Sequence, residues 1–123
     1  MERDEGQMRE EAESLVSAYL ERHAANDLEA VVALFEEDAV VEDPVGSPVY
    51  VGRAAVRGFY AATHAANGPM RIERVGPILL GGDELSWHVR AALEAPGSPP
   101  AMDVIYVVRL SAEGRIASLR AWY

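Results

Sequence analysis

Asp43 has the setting that most needs an explanation. Val40 and Val41 stand before it, Pro44 and Val45 after it. A carboxylate among apolar neighbours is costly unless it is hydrogen-bonded or put to use. Taken alone, it reads either as a turn aspartate capping a backbone N–H or as a proton acceptor. Tyr19, taken alone, is a core tyrosine with a satisfied hydroxyl. His23, His64 and His88 match no metal-binding or catalytic spacing, so structural or surface roles are expected for all three. Trp87 alternates with Leu85, Val89 and Ala91. That period of two turns it toward the core or a pocket wall. Glu36, Glu37 and Asp38 lack the partner spacing of a calcium loop and read as a solvated cluster.

Composition removes other chemistries. The 123 residues include no cysteine, which excludes disulfides, thiol nucleophiles and cysteine-bound metal. All 11 basic residues are arginine, so a lysine Schiff base and a P-loop lysine are excluded. The net charge of −9 repels phosphate backbones and argues against nucleic acid as a partner. No apolar run approaches the ~20 residues of a membrane span, and the acidic N-terminus is unlike a signal peptide. The expectation is a soluble cytoplasmic protein. Its length suits one domain over 1–123, since domains most often run to about 100–150 residues.

The elements that must position these side chains follow from periodicity. Ala12, Leu15, Val16, Tyr19, Leu20 and His23 form a helical stripe over 8–25. Asn26 with Glu29 suggests a capping box opening a second helix over 27–36, burying Leu28, Val31, Val32, Leu34 and Phe35. A short strand over 40–43 ends at Pro44, because proline favours extended geometry just before it. A turn at Gly46 and Pro48 leads to a third helix over 52–66, with Val56, Phe59 and Tyr60. Strands over 70–80, 84–95, 101–110 and 114–123 are separated by glycine-containing turns. Helices first and antiparallel strands after make an α+β architecture.

Two segments carry a family resemblance. They are Asp27-Leu28-Glu29-Ala30-Val31-Val32-Ala33-Leu34-Phe35 and Asp38-Ala39-Val40-Val41-Glu42-Asp43-Pro44-Val45-Gly46-Ser47. Gly52-Arg53, Phe59-Tyr60 and the C-terminal Asp103-Val104-Ile105 with Glu113-Gly114-Arg115-Ile116 add to it. Over nearly all of its length from Ala12 the chain resembles the Δ5-3-ketosteroid isomerases, among the SnoaL-like and NTF2-like proteins. The Glu-Asp-Pro-Val-Gly segment is the most specific part.

The resemblance implies an NTF2-like cone: three N-terminal helices packed on a strongly curved, mixed, mostly antiparallel sheet. It implies a homodimer with an apolar pocket in each cone. The family reaction moves a C=C bond from β,γ to α,β of a small apolar ketone, a 3-ketosteroid, with no metal and no organic cofactor. Asp43 matches the family's general base, and Tyr19 matches its oxyanion donor on the first helix. Tyr60 matches a tyrosine of the surrounding network, while Phe35 occupies a second such position. The Asp43–Pro44 bond matches one that can be cis in the family, which orients the base.

The family's third catalytic group is a protonated aspartic acid, and the ketosteroid enzyme is the standard illustration of that device. At its position this chain has Tyr106, a phenol that can also donate. Asp103 lies an odd number of residues away, and an odd offset reverses the face of a strand. Tyr106 is therefore the expected second donor and Asp103 the outside candidate. Tyr60, Phe59, Trp87, Val89, Asp103 and Tyr123 are the expected substrate-binding set. Two rival readings stand beside this one. The first is a related SnoaL-like enzyme, such as a polyketide cyclase or another isomerase of enolisable ketones. The second is a non-catalytic small-ligand-binding dimer.

Overall fold

A computed structural model describes residues 3–123. Helix α1 (Glu5–Ala24) starts at Asp4, whose side chain accepts from the Gln7 N–H while Gln7 reaches back to the Asp4 N–H. This reciprocal cap satisfies two N–H groups that the helix cannot pair internally. One stripe of α1 is buried: Met8, Ala12, Leu15, Val16 and Tyr19. Helix α3 (Arg53–Asn67) buries Val56, Tyr60 and His64 at i, i+4 and i+8.

Between them, the second helix is much shorter than its apolar content suggested. Helix α2 covers only Leu28–Val32, and Phe35 opens a strand. The backbone is captured by the sheet instead: Ile116 N–H donates to Leu34 O at 2.8 Å, and Phe35 pairs with Ile116. Asp27, not Asn26, is the N-cap, accepting from the Ala30 N–H. Asn26 is the one non-glycine residue with positive φ among the described residues, at 60°. It reverses the chain after α1, a conformation asparagine tolerates better than most.

Strand β1 (Phe35–Glu42) is correspondingly longer than expected, and Asp43 stands just past its end. The others are β2 (Tyr50–Val51), β3 (Met70–Gly81), β4 (Glu84–Leu93), β5 (Met102–Leu110) and β6 (Ile116–Trp122). They form one open, mixed sheet in the order β2-β1-β6-β5-β4-β3. β1 runs parallel to β6 and every other pair is antiparallel. The NTF2-like architecture is therefore present, with α1 against β3 and α3 against β1. Register shifts interrupt β1–β6, β3–β4 and β5–β6. Such irregularities bend a sheet, which lets it wrap around the helices.

The face toward the helices is apolar. Leu85, Trp87, Val89 and Ala91 of β4 alternate inward, as do Val104, Tyr106, Val108 and Leu110 of β5. Arg53 fixes the start of α3 by donating twice to Phe35 O, at 3.1 and 2.6 Å. No helix among the described residues is long and apolar enough to cross a membrane.

Removing the observed cap should show which residue starts α2. Asp27→Ala should lower stability in urea by about 1 kcal/mol, the usual loss for such a cap. An unchanged midpoint would contradict the assignment.

Candidate active site

The parallel β1–β6 pair carries Asp43 to the mouth of the cone. Val41 and Glu42 are in register with Leu119 and Arg120, and Val45 N–H continues the contact by donating to Ala121 O at 2.7 Å. Glu42 pairs with Arg120 at 2.9 Å and accepts from Gly46 N–H. Ser47 donates to Pro44 O from both its N–H and its hydroxyl. The loop is thus pinned on both sides of the aspartate. The Asp43–Pro44 bond is cis.

Asp43 faces a cavity of about 90 Å³ whose wall also includes His23, Phe59, Tyr60, Tyr106 and Tyr123. Met70, Ile72, Ala91, Met102 and Val104 supply apolar wall. A larger groove, about 620 Å³, passes Asp4, Glu5 and Asp83 on the surface. Those carboxylates are exposed and converge on nothing. Among the described residues, no group of three or more histidine, aspartate or glutamate side chains could hold a metal ion.

Tyr19 is fully buried, and its hydroxyl shares a 3.0 Å hydrogen bond with that of Tyr60. Tyr106 meets Tyr19 edge-on, with ring centroids 5.2 Å apart. Tyr60 and Tyr106 reach the cavity wall, while Tyr19 is the link behind them. Phe35 packs on Tyr60 at 5.6 Å without a hydroxyl to contribute.

Electrostatics separates the groups by role. Burial pushes the Asp43 carboxyl above its usual range, and a hydrogen bond from the Tyr123 hydroxyl partly offsets this. Burial holds Tyr19, Tyr60 and Tyr106 above the ordinary phenol value, and the Asp43 charge pushes each further. All three phenols therefore keep their protons at neutral pH and remain donors. One carboxylate with raised proton affinity thus faces Tyr60 and Tyr106, with Tyr19 behind them, all three holding their protons.

The remaining expected residues divide by depth and by face. Trp87 and Val89 are buried but do not reach the cavity. Trp87 stacks on Tyr106 at 4.9 Å and acts as its backing. Asp103 is on the opposite face of the sheet, where it accepts from His88 at 2.8 Å and Arg90 at 3.2 Å. The parity of β5 turns it outward, so it has no contact with the cavity and Tyr106 stands alone at that point of the wall.

Sequence reasoning passed over one pair. His23 Nδ1 lies 2.7 Å from His64 Nε2. The residue spacing is the same 41 that separates Tyr19 from Tyr60. Residues four apart stack on one helix face, so pairing the tyrosines implies pairing the histidines one turn later. Burial and the neighbouring imidazole lower His23 to about 4, and burial lowers His64.

Comparison with known proteins gives four further findings. The SnoaL-like domain matches residues 16–119. A steroid Delta-isomerase of Nocardioides simplex is 30% identical over 116 residues, covering 94% of this chain and 92% of that protein. Epoxide hydrolase LasB of Streptomyces lasalocidi is 31% identical over 110 residues, 85% of this chain but only 38% of that protein. Among solved structures, the epoxide hydrolase/cyclase-like enzyme SalBIII, described for pyran ring formation in salinomycin, matches with a TM-score of 0.78. It is 28% identical, over 92% of this chain and 90% of that one.

The raised Asp43 carboxyl has a signed consequence for stability. A group whose folded pKa exceeds its unfolded value of about 3.9 favours the fold most below that value, and this contribution is lost as pH rises through the folded pKa. Asp43→Asn should therefore raise the melting temperature at pH 7, with the gain disappearing toward pH 3. A loss of stability at pH 7 would contradict the burial argument. By the same logic Tyr123→Phe, which removes the opposing hydrogen bond, should move the Asp43 titration followed by carbon NMR to higher pH. A downward move would contradict that contact.

Proposed function

The chain belongs to the SnoaL-like family of enzymes, and from that premise we propose that it is a steroid Δ-isomerase. Asp43 is the general base, and the phenol cluster holds the oxygen that gains charge. The observation that carries this reading is a single carboxylate with raised proton affinity opposite protonated phenols in an apolar cavity.

Ionised Asp43 takes the proton from the carbon between the ketone and the β,γ double bond. The C–H electrons form a new C=C bond and the charge moves to the ketone oxygen, giving a dienolate. Asp43, now protonated, returns the same proton to the γ carbon. The electrons flow back, the carbonyl re-forms and the double bond is conjugated. A raised carboxyl pKa makes Asp43 a stronger base once ionised, and it also narrows the gap to the weakly acidic carbon.

Tyr106 reaches the dienolate oxygen directly. Of the Tyr19–Tyr60 pair, one hydroxyl donates to the other. With Tyr60 donating, the Tyr19 hydroxyl keeps its own proton to give, and the family resemblance assigns it the donor role from its place behind the Tyr60 and Tyr106 wall. Donors of this kind act where charge develops, in a site short of water, and their positions are set before the reaction.

The volume of about 90 Å³ bears on the substrate, since pockets that enclose a whole drug-sized ligand run to about 300–1,000 Å³. The ketone-bearing ring of a steroid enters, and the other rings lie across the mouth past Phe59 and Tyr123. Tyr123 is 58% exposed there. The same volume favours a second reading, an isomerase of single-ring enolisable ketones using the same groups.

Formation of the conjugated enone is followed by ultraviolet absorbance with a Δ5-3-ketosteroid and with a single-ring β,γ-enone. Asp43→Asn should lower kcat by ~10²–10⁴, the usual range for a general base. Tyr19→Phe should cost ~10²–10³, as for an oxyanion donor, with smaller losses from Tyr106→Phe and Tyr60→Phe. A greater loss from Tyr60→Phe than from Tyr19→Phe would make Tyr60 the direct donor. Wild-type rates in Asp43→Asn would refute the mechanism, and turnover of only the single-ring ketone would select the second reading.

A further inference from the structure

The histidine pair is not used by this mechanism, yet it stands in the same wall. His23 lies one turn beyond Tyr19 on α1, edge-on to Tyr19 at 5.1 Å and to Tyr60 at 5.2 Å. It lines the cavity beside Tyr60 and Tyr106. His64, one turn beyond Tyr60 on α3, is 5% exposed. Its Nε2 meets His23 Nδ1 at 2.7 Å, and its Nδ1 is buried with no partner.

The orphaned atom decides which ring donates. If His23 donated from Nδ1, neutral His64 would have to carry its own proton on Nδ1. That would bury an N–H without an acceptor. If instead His64 donates from Nε2, its Nδ1 is only a bare lone pair. A buried unpaired donor is the rarer and more costly defect. The direction is therefore His64 Nε2–H to His23 Nδ1. His23 must then carry its proton on Nε2, which has no hydrogen-bond partner among the described residues, and the His23 ring is part of the cavity wall.

The geometry points to His23 as a further hydrogen-bond donor to the substrate's oxyanion, with His64 as the positioning residue that fixes its tautomer. This rests on reading the cavity as the site where the ketone oxygen binds. A neutral imidazole N–H is a competent electrophile in enolisation chemistry, and His23 is held neutral at pH 7 by burial and by its neighbour. The ligand class is an oxygen acceptor on a flat ring: a ketone, its enolate or a phenolate. His23 adds a donor that the Tyr106 side of the wall does not supply.

The test uses the free protein first. Nitrogen-15 NMR of the histidine side chains distinguishes the tautomers, and His23 should show the Nε2–H form at pH 7. The Nδ1–H form would overturn the proposal without any variant being made. The second arm titrates 4-nitrophenol, whose absorbance reports the bound ionised form. His23→Leu should weaken binding of the anion by about 10–150-fold, one charge-assisted bond's worth. His23→Gln, which keeps an N–H at similar reach, should recover much of the loss. His64→Leu should disturb the His23 tautomer signal and weaken binding less.

No binding by the wild type, or equal affinity in both His23 variants and the wild type, would overturn the proposal. Enone turnover with unchanged nitrophenol affinity in the His23 variants would leave the isomerase standing and remove this donor. Nitrophenol binding that depends on His23, without turnover of any β,γ-enone, would remove the isomerase and leave the donor.

Discussion

Asp43 brings a negative charge into a cavity walled mostly by hydrocarbon and phenol, and that costs free energy. Its raised pKa is the measure of that cost, and the rest of the site is arranged around it. The phenols carry no charge of their own and are kept from gaining one by burial and by the aspartate itself. The carboxylate and the phenols therefore reinforce each other's protonation states. No positive group is among the causes that set the Asp43 proton affinity, and the phenols keep their protons beside its negative charge.

The fold supplies the constraint that makes this costly arrangement hold. A parallel strand pair joins the first strand of the chain to the last, and it delivers Asp43 and Tyr123 to one mouth. The loop after Asp43 is tied to β6 by Val45 and to itself by Gly46 and Ser47. On the opposite side, α1 and α3 present matching turns, Tyr19 with Tyr60 and His23 with His64. One wall of the cavity is thus set by helix register and the other by strand register. Trp87, behind Tyr106, keeps the strand phenol in place.

Much of this was legible in the sequence, and the exceptions have physical reasons. The strand order after α3 follows from glycine punctuation and alternation, both of which are local. The outward turn of Asp103 followed from parity alone. Parity gives a face but not a depth, so Trp87 and Val89 were expected at the wall and lie behind it. The stretch around Leu34 and Phe35 was misread as helix because a short apolar run fits a helix or a strand equally well. What decides it is pairing with Ile116 and its neighbours, some eighty residues on, which no local pattern carries. The histidine pair was missed for a different reason. Each histidine was judged by its own spacing, whereas the signal lay in the helix register already implied by the two tyrosines.

The central claim is that Asp43 removes a proton from carbon beside a ketone held by the phenols. Proton NMR in deuterium oxide tests this most directly, using a cyclic ketone that can enolise but has no double bond to move. Wild-type protein should speed loss of the α-proton signal well above the buffer rate, and Asp43→Asn should leave the buffer rate unchanged. Equal acceleration by the two proteins would contradict the account.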